Sequence, residues 1–407
     1  MEDSHALPLF AGYDPADALG AVKPPIHLAS TFCFPSAEAA AELFQISHAG
    51  APSADGFIYS RLSNPTLEVA ERRLAAFDGA AEACLFSSGM AAISTAVLAW
   101  SGPGRAVWGV GSLYGGSDRF LFSMLPEWGI PVRRVAHLHA LDDTLAAAGG
   151  ELPGVIYIET PGNPTMDVHD LRTAVAWARK HERPDHPIRV LVDNTFLGPL
   201  LQQPFKLGLG VDLVLYSATK YLGGHSDVVA GACSGTEEAI ARVRSHRHLL
   251  GGVLDPFSAW LLARSMETLE IRVMRQQETA GKVLAFLRQH PRVTRLRSVH
   301  PADLDPVAAD VQAAQTSGHG AMLAFEVAGG REAAFAVLNR LQTVRLAVSL
   351  GSTESLATHP ASTTHSAIPA EERARLGIGE GLIRLSVGLE PAEALVSDLA
   401  RALDAER

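Results

Sequence analysis

The sequence contains few cysteines and no closely spaced pair of them. Its 407 residues include three, at Cys33, Cys84 and Cys233. Disulfide frameworks and zinc sites use cysteines in pairs or clusters, so we expect neither. His225, His359 and His365 also lack the i, i+4 spacing of a metal-binding pair, and we expect no metal. Isolated cysteines are typical of the reducing cytoplasm.

The sequence also lacks an excess of positive charge, and it lacks long apolar runs. The formal net charge is −10 at pH 7, without a basic stripe, whereas proteins that bind nucleic acid or anionic membranes carry clustered Lys and Arg. No uncharged apolar run is long enough to cross a bilayer. Residues 1–5 are polar and acidic, unlike the basic start of a signal peptide. We predict a cytoplasmic protein without nucleic-acid or membrane partners.

What is present predicts a large, well-packed α/β protein. Hydrophobic residues make up 47% of the chain and charged residues 19%, which is enough for a sizeable core in two or three domains. Residues 1–60 are rich in proline, yet segment 26–34 is too apolar for a free tail. We predict an N-terminal arm at 1–60 that packs on its own body or on a neighbouring subunit.

The remaining sequence divides into two patterns. Apolar strand signals at 106–110, 154–158, 189–192 and 211–215 alternate with helical signals at 65–77 and 170–180, which indicates a mainly parallel sheet in a large domain at 61–257. After it, a helical stretch at 258–289, strand signals at 321–327 and 382–387 and a helix from 391 onward predict a smaller α+β domain at 258–407.

One lysine stands just beyond the end of a predicted strand. Lys220 follows the strand signal at 211–215, with hydroxyl residues before it and two glycines after it. Open α/β sheets bind ligands at the carboxyl ends of their strands, and an amine in apolar surroundings loses proton affinity and becomes a nucleophile. Lys220 is therefore a candidate Schiff-base lysine. The alternative is a surface lysine in an ordinary βα loop.

Other strand ends carry residues that suit a cofactor. Ser88, Gly89 and Met90 precede an apolar helix, whose N-terminal N–H groups suit a phosphate, although Ser and Gly are also common caps. Asp193 follows strand 189–192 and is able to hold a proton on a ring nitrogen, or to cap a turn. Tyr114 lies in a further loop, where its ring is able to stack on a flat cofactor or to pack in a turn.

Two residues suit an amino-acid substrate. Arg384 interrupts an apolar strand, and an arginine fork binds a carboxylate through two hydrogen bonds, although an edge-strand arginine paired with a local acid fits equally well. Asn163 lies in a turn made rigid by proline and is able to hydrogen-bond a ligand oxygen. Together with the lysine, aspartate, tyrosine and phosphate loop, these residues make up the set expected of a pyridoxal-phosphate site.

The motifs resemble those of a known family. They are Tyr59-Ser60-Arg61, Asn64-Pro65-Thr66, Ser88-Gly89-Met90, Tyr114-Gly115-Gly116, Glu159-Thr160-Pro161-Gly162-Asn163-Pro164, Asp193-Asn194-Thr195, Ser217-Ala218-Thr219-Lys220-Tyr221, Ser349-Leu350-Gly351 and residues 359–365. In this order they resemble the Cys/Met-metabolism family of pyridoxal-phosphate enzymes, which includes cystathionine γ-synthase, cystathionine lyases, methionine γ-lyase and O-acylhomoserine sulfhydrylases. The resemblance spans nearly the whole chain. It implies the fold-type I, aminotransferase-like architecture.

The resemblance also implies roles for individual residues. Lys220 would bind pyridoxal 5′-phosphate covalently and move protons, Asp193 would pair with the ring nitrogen, and Tyr114 would stack on the ring and assist proton transfer. The phosphate would be surrounded by Ser88, Gly89, Met90, Ser217 and Thr219, and by Tyr59 and Arg61 of a neighbouring subunit. Arg384, Ser349 and Asn163 would hold the α-carboxylate of an amino-acid substrate. Family members are typically homotetramers built from dimers.

The implied chemistry takes place at the γ-carbon of an amino acid. We interpret the chain as a γ-lyase that acts on a sulfur amino acid such as L-methionine and gives 2-oxobutyrate, ammonia and a thiol. Val348 stands where cystathionine-handling enzymes usually carry a glutamate. Gly116 replaces a cysteine of methionine γ-lyases, and Arg247-His248 lies near their Lys-Asp pair. The alternative is therefore γ-replacement, in which a thiol replaces the acyl group of O-acetyl- or O-succinylhomoserine, as in a synthase or sulfhydrylase.

Two further classes of protein, a pseudoenzyme and an ordinary aminotransferase, predict different residues at the key positions. A pseudoenzyme that keeps the fold for assembly alone predicts damage at key positions, whereas Lys220, Asp193 and Arg384 are all present. An ordinary aminotransferase shares the lysine and the aspartate, but the arm motif Tyr59-Ser60-Arg61 argues against it.

Overall fold

Two β-sheets follow each other along the chain. The computed structural model describes residues 8–48 and 56–404. The first sheet has seven strands in the order β1-β7-β6-β5-β4-β2-β3, and the second has five in the order β10-β11-β12-β9-β8. The strands are β1 Glu82–Phe86, β2 Ala106–Val110, β3 Val132–Val135, β4 Pro153–Glu159, β5 Arg189–Asp193, β6 Leu213–Tyr216, β7 Gly231–Gly235, β8 Val293–Arg297, β9 Met322–Val327, β10 Arg345–Leu346, β11 Leu356–Thr358 and β12 Leu382–Ser386.

The first sheet is mainly parallel, as predicted. β3, β2, β4, β5 and β6 pair in parallel, and only β7 runs antiparallel to its neighbours β6 and β1 among the described strands. Every residue of β2, β4 and β6 is buried. Helices cover both faces of such a sheet, which explains why its strands read as continuous apolar runs rather than as alternating patterns. The parallel strands bring their carboxyl ends, and the loops that follow them, to one edge.

Helices fill the connections between the strands. They are α1 Ala37–His48, α2 Pro65–Asp78, α3 Gly89–Leu98, α4 Gly115–Arg119, α5 Leu125–Glu127, α6 Leu141–Ala147, α7 Leu171–His181, α8 Gly198–Leu201, α9 Glu237–Leu250, α10 Pro256–Met266, α11 Leu269–Gln289, α12 Pro306–Gln315, α13 Gly330–Arg340, α14 Ala370–Arg375 and α15 Ala392–Asp404. Side-chain caps define the predicted helices: Asn64 accepts from Thr66 N at the start of α2, and Asp170 accepts from Arg172 N at the start of α7. None of the helices in the described ranges is long and apolar enough to cross a membrane.

Several elements differ from the sequence prediction. The arm contains helix α1, and strands β1, β3 and β7 belong to the first sheet although no strand signal was recognised there. The hydrophobic pattern does not predict β7, because this strand lacks the large, β-branched apolar residues that are typical of strands. Its residues are all small: Gly231-Ala232-Cys233-Ser234-Gly235. The structure needs them small: a Cβ on Gly231 would lie 2.0 Å from the carbonyl oxygen of Ser88. β7 thus allows the loop at Ser88 to approach the sheet closely.

The second sheet places an arginine at its centre. β12 lies between β11 and β9 and is antiparallel to both, with Arg384 opposite Thr358 and Ala324. The alternative of an edge-strand arginine is therefore wrong, because both edges of β12 are paired. Arg384 is buried in this central strand, and its side chain contacts Asn163 in the loop after β4.

A buried ion pair fastens α9 to α2 and β1. Glu71 on α2 accepts from Arg247 on α9 at 2.8 Å and from the backbone N–H of Leu85 at 2.9 Å. Arg247 also donates to the carbonyl oxygen of Leu85 at 2.7 Å, and its side chain is 1% exposed. The two charges are therefore buried in contact with each other, and both also bond to the backbone of Leu85. Removing one partner leaves the other buried and unpaired.

We predict that Glu71→Ala lowers the free energy of unfolding by about 3–5 kcal/mol, because Arg247 keeps its charge in an apolar interior. Urea denaturation of the purified protein measures the loss. The control is Glu278→Ala, which removes a carboxylate from exposed pairs on α11 and should leave the free energy of unfolding close to that of the wild type. Equal losses in the two variants would contradict the prediction.

Candidate active site

A cavity of about 590 Å³ lies at the carboxyl edge of the first sheet. It is closed on its far side by the loop that contains Ser349 and by Arg384 of the second sheet. Among the residues predicted from the sequence, the cavity brings together Ser88, Gly89, Met90, Tyr114, Asn163, Asp193, Ser217, Thr219, Lys220, Ser349 and Arg384. Tyr59 and Arg61 do not line it. The predicted residues at the strand ends therefore share one cavity, whereas the arm residues lie elsewhere on this chain.

Lys220 extends into the cavity from the turn after β6. Its Nζ donates a hydrogen bond to the hydroxyl of Ser349 at 2.8 Å. Burial lowers the pKa of the Lys220 amine to about 8, and the guanidinium of Arg384 acts in the same direction. A lysine with this pKa is partly neutral near pH 7–8, which is the state that attacks a carbonyl carbon.

Asp193 ends β5 and faces the same cavity. Its Oδ1 accepts from the backbone N–H of Thr195 at 3.0 Å, and its Oδ2 accepts from the hydroxyl of Tyr157 at 3.2 Å. Burial raises the pKa of the carboxyl group, while the hydrogen bonds from Thr195 and Tyr157 oppose this rise. Asp193 forms no ion pair in the described part of the chain, so its charge is available to a positively charged ring nitrogen.

The N-terminus of α3 forms one end of the cavity. Ser88 caps this helix by accepting from Ala91 N at 3.1 Å, and the first turn has no acidic residue. The helix N-terminus lies against the loop after β6, because a Cβ on Gly89 would be 2.9 Å from Cβ of Ser217. Free N–H groups and the positive end of the helix dipole then face the cavity beside the Ser217 hydroxyl. This arrangement suits a phosphate group.

Tyr114 follows β2 and is fixed through its backbone. Its N–H donates to Oε2 of Glu159 at 2.7 Å, and its side chain remains 40% exposed at the cavity. Gly115 is required by a close backbone contact, because a Cβ there would lie 1.9 Å from the carbonyl oxygen of Thr364, whereas a Cβ on Gly116 would lie 2.5 Å from Cε1 of the Tyr114 side chain. With Tyr114 in this position, Gly116 has no room for a side chain.

Arg384 is a buried cation without a carboxylate partner among the described residues. Its Nη1 donates to Oδ1 of Asn163 at 3.0 Å, and its Nη2 donates to the carbonyl oxygen of Ser349 at 3.2 Å. Burial lowers the pKa of Arg384 to about 10, which still leaves it charged at neutral pH. Ser349 has a φ of 101°, in the region that L-residues rarely adopt. This strained backbone places its hydroxyl on Lys220 and its carbonyl on Arg384.

Sequence reasoning missed several residues that build the site. Thr195 and Tyr157 bind Asp193, and Glu159 binds the Tyr114 loop. His365 is fully buried, and its Nε2 lies 3.2 Å from the carbonyl oxygen of Leu113 and 3.1 Å from that of Asn163. Both acceptors are carbonyls, so Nε2 carries the hydrogen.

His365 acts as a neutral link between loops. Burial, together with the charge of the Arg384 guanidinium, lowers the pKa of His365 to about 4. The sequence signal that points to His365 is its place in the motif at 359–365. Joining the Tyr114 and Asn163 loops needs a neutral donor, which a histidine supplies without introducing a charge.

The arm residues lie on the outside of the cavity. The guanidinium of Arg61 lies 5.8 Å from the centre of the Tyr59 ring and donates to the carbonyl oxygen of His248. His248 in turn binds the carbonyl oxygen of Leu62 at 2.9 Å. Arg247 and His248 therefore hold the turn at Arg61, and neither lines the cavity. Tyr59 is 42% exposed, so its side chain is accessible from outside this chain.

The cavity fits pyridoxal phosphate. An anion site at α3, a carboxylate at Asp193 and an amine with a lowered pKa at Lys220 match the phosphate, the ring nitrogen and the aldehyde of this cofactor. Arg384 remains for a further carboxylate. The cavity thus has groups for both a cofactor and the carboxylate of an amino acid, whereas a site for a single anion would need only one of them.

Comparisons with known proteins point in the same direction. Residues 7–404 match the profile of the family described as Cys/Met metabolism PLP-dependent enzyme. L-Methionine gamma-lyase from Pseudomonas putida is 41% identical, with 100% of each chain covered, and the enzyme of that name from Porphyromonas gingivalis is 40% identical, with 95% of this chain and 94% of that protein covered.

A solved structure shows a similar fold. The crystal structure of cystathionine gamma synthase from Xanthomonas oryzae pv. oryzae in complex with aminoacrylate and cysteine has a TM-score of 0.87, at 36% identity, and the match covers 98% of this chain and 97% of that one. The fold-type I architecture expected from the motifs is confirmed.

The lowered pKa of Lys220 predicts selective reactivity. In cofactor-free protein, acetylation of Lys220 by a small excess of acetic anhydride should follow the neutral amine and reach half its maximal rate near pH 8. Mass spectrometry of the peptide that contains Lys220 measures this rate. N-acetyl-lysine amide in the same tube gives the curve of a free side chain, with a midpoint of about 10.4. Coincident curves would contradict the prediction.

Proposed function

The chain belongs to the Cys/Met metabolism family of PLP-dependent enzymes, and we propose that it eliminates the γ-substituent of a sulfur amino acid such as L-methionine. The products are 2-oxobutyrate, ammonia and a thiol. The observation that carries this proposal is a cavity whose lining combines a buried cation, Arg384, for the α-carboxylate with exposed apolar side chains, Val229 and Val348. Such a cavity recognises an amino acid with an uncharged, thioether-containing side chain.

Arg384 supports the recognition of the α-carboxylate. Its two described hydrogen bonds go to neutral oxygens of Asn163 and Ser349, and no carboxylate of the described chain neutralises it. A guanidinium binds a carboxylate through two parallel hydrogen bonds. Asn163 fixes the fork in the correct plane, and Ser349 anchors it from the other side. We assign these three residues to the substrate carboxylate.

The mouth of the cavity supports an uncharged γ-substituent. Val348 and Val229 line it and are 56% and 65% exposed, with Leu350 behind them. The charged residues of the described lining are Lys220, Arg384, Asp193 and Glu159, and both carboxyl groups already accept hydrogen bonds at the strand ends. No lining carboxylate at the mouth is therefore placed to bind a distal ammonium group, such as that of cystathionine.

We assign the cofactor contacts to the residues that line the cavity. Asp193 would bind the ring nitrogen, and Tyr114 would stack on the ring. The phosphate would be held by Ser88, Gly89, Met90, Ser217 and Thr219. The Thr219 hydroxyl also donates to the carbonyl oxygen of Ala230 at 3.1 Å and accepts from its N–H at 2.9 Å, which fixes the loop at this end.

The chain's own residues then bind the substrate and move protons. Pyridoxal phosphate, when bound, supplies an electron sink that stabilises negative charge on the carbons of the substrate. Lys220 would take the proton from the α-carbon with its Nζ, because a pKa of about 8 leaves part of the amine neutral at physiological pH. Tyr114 would donate a proton from its hydroxyl to the departing sulfur. One water balances the reaction, since methionine plus water equals 2-oxobutyrate, ammonia and methanethiol.

Gamma-replacement is the second candidate. It uses the same carboxylate and proton contacts, but a thiol instead of water consumes the activated substrate. The solved cystathionine gamma synthase at 36% identity favours it, as does Gly116, because the family resemblance implies a cysteine at this position in methionine γ-lyases. O-acetyl- or O-succinylhomoserine would then be the substrate.

We also propose an oligomer in which the arm completes a neighbouring site. Tyr59 and Arg61 lie outside the cavity of their own chain, which is consistent with a role at the phosphate of another subunit. A homotetramer built from such dimers, with the arm at 1–60, a large domain at 61–257 and a smaller domain at 258–407, follows from the family resemblance. The three free cysteines support a reducing, cytoplasmic location.

The decisive assay compares substrates. We expect L-methionine alone to give 2-oxobutyrate, ammonia and methanethiol in equal amounts. O-acetyl- and O-succinylhomoserine are then tested with and without cysteine, sulfide or methanethiol, and thioether products are followed by mass spectrometry. Negligible turnover of methionine, with thiol-dependent product from an acylhomoserine, would establish γ-replacement instead. Amino exchange with a 2-oxo acid, without loss of the γ-group, would indicate an aminotransferase.

A charge at the mouth should change the preference between substrates. Val348→Glu places a carboxylate near the distal ammonium group of cystathionine. We expect the ratio of kcat/KM for L-cystathionine to that for L-methionine to rise about fivefold, since an exposed ion pair contributes about 1 kcal/mol. Val348→Gln has a similar size without the charge and should leave the ratio unchanged. If Gln produces the same rise, the effect is steric and the argument from charge is wrong.

A further inference from the structure

Two carboxyl groups face each other at the edge of the first sheet. Glu159 ends β4, Asp193 ends β5, and the two residues are partners in the parallel register. Side chains of register partners point to the same face of a sheet. Glu159 is 4% exposed. In the described ranges neither group forms an ion pair, and the cavity's cations, Lys220 and Arg384, are bound to other partners. Two buried negative charges at this spacing would repel each other strongly.

The hydroxyl of Tyr157 lies between the two carboxyl groups. It is 3.2 Å from Oε1 of Glu159, 3.2 Å from Oδ2 of Asp193 and 3.3 Å from the hydroxyl of Ser117. A tyrosine has one hydroxyl hydrogen and can donate it to only one acceptor at full strength. Its oxygen is able to accept from the other neighbours. The contacts are therefore all satisfied only if one carboxyl group donates to Tyr157.

We propose that Glu159 carries a proton and donates it in a hydrogen bond to Tyr157, whose hydroxyl donates to Asp193, so that one negative charge remains and lies on Asp193. This inference rests on the cofactor site proposed above, in which Asp193 meets the ring nitrogen. Glu159 and Tyr157 are then positioning residues. They hold the charge where a protonated ring nitrogen needs it.

The surroundings of the two groups explain why Asp193 keeps the charge. Asp193 accepts from Thr195 N at 3.0 Å in addition to Tyr157. On Glu159, Oε2 accepts from the N–H of Tyr114 at 2.7 Å, which leaves Oε1 to carry the hydrogen toward Tyr157. Burial and the charge of Asp193 raise the pKa of Glu159 well above its ordinary value. The hydrogen bond from Ser117 on α4 lowers the pKa of Glu159, but burial and the charge of Asp193 have larger effects and raise it.

The chain also connects the ring nitrogen with the loop over the ring. Glu159 holds the backbone of Tyr114 with one oxygen and Tyr157 with the other. A glutamine at 159 preserves both contacts, because its amide NH₂ is able to donate to Tyr157 while its oxygen accepts from Tyr114. A phenylalanine at 157 keeps the ring but removes the hydroxyl that lies between Glu159 and Asp193. Glu159→Gln therefore tests the charge of residue 159 with its hydrogen bonds kept, and Tyr157→Phe tests the hydrogen bonds with Glu159 kept.

The experiment uses holoprotein reconstituted with pyridoxal phosphate labelled with ¹⁵N in the ring. The ¹⁵N chemical shift reports protonation of the ring nitrogen, and the absorption band of the bound cofactor is followed against pH. We expect Tyr157→Phe to move the ¹⁵N signal toward the unprotonated position. The protonation equilibrium should change about tenfold or more, since a hydrogen bond to a charged group contributes roughly 1.5–3 kcal/mol. Glu159→Gln should retain the wild-type signal.

Control variants distinguish an error in the proposed hydrogen-bond chain from an error in the proposed cofactor site. Asp193→Asn should abolish the protonated signal, and if it does not, the assignment of Asp193 to the ring nitrogen fails. If Asp193→Asn acts as expected but Tyr157→Phe leaves the signal unchanged, the hydrogen-bond chain alone is wrong. Ser117→Ala removes a hydroxyl from the same buried group and should have no effect.

Glu159→Gln tests the proton independently. The substitution is nearly isosteric, so it remains informative even if Tyr157→Phe does not fold, as judged by thermal denaturation of the cofactor-free protein. A wild-type ¹⁵N signal in Glu159→Gln supports a neutral Glu159. Loss of the protonated signal in this variant would show that a negative charge at position 159 is required and would overturn the proposal.

Discussion

The structure depends on keeping ionisable groups away from water without letting them neutralise one another. Lys220, Arg384 and Asp193 line one cavity, yet each binds mainly neutral partners: the Ser349 hydroxyl, the Asn163 amide and the Thr195 backbone N–H. If Lys220 paired with Asp193, the charges would cancel and neither would be free for a ligand. The chain instead holds each group by a neutral hydrogen bond. Their charges and lone pairs are thereby kept for a cofactor and a substrate.

Close backbone contacts make this separation possible. Gly89 lets the N-terminus of α3 approach Ser217, Gly231 leaves room for the carbonyl of Ser88, and Gly115 leaves room for that of Thr364. Each contact joins loops that come from distant parts of the sequence. A side chain at any of these positions would push a loop outward and widen the cavity. Fixed distances between charged groups therefore depend on residues that carry no functional group themselves.

The sequence predicts those parts of the site that stand at the end of an apolar run. Lys220 and Tyr114 follow strands whose residues are all buried, and Asp193 ends a strand whose three central residues are apolar and buried, because parallel strands are covered on both faces. Small-residue β7 could not be recognised in this way. The pairing of Glu159 with Asp193 could not be predicted either, because it depends on the register between β4 and β5, which single-strand patterns do not contain.

Some predictions depend on geometry beyond one chain. Tyr59 and Arg61 were identified through the family motifs, and on this chain they bind each other and the end of α9 instead of the cavity. Val229 and Val348 are exposed at the mouth of the cavity, where a neighbouring subunit would also contact the chain. Water must be restricted for a thiol to compete in γ-replacement, whereas elimination needs water to complete hydrolysis. In the proposed oligomer, the surface that a neighbouring subunit lays over this mouth would therefore influence the balance between the two reactions, while the carboxylate and proton contacts stay the same.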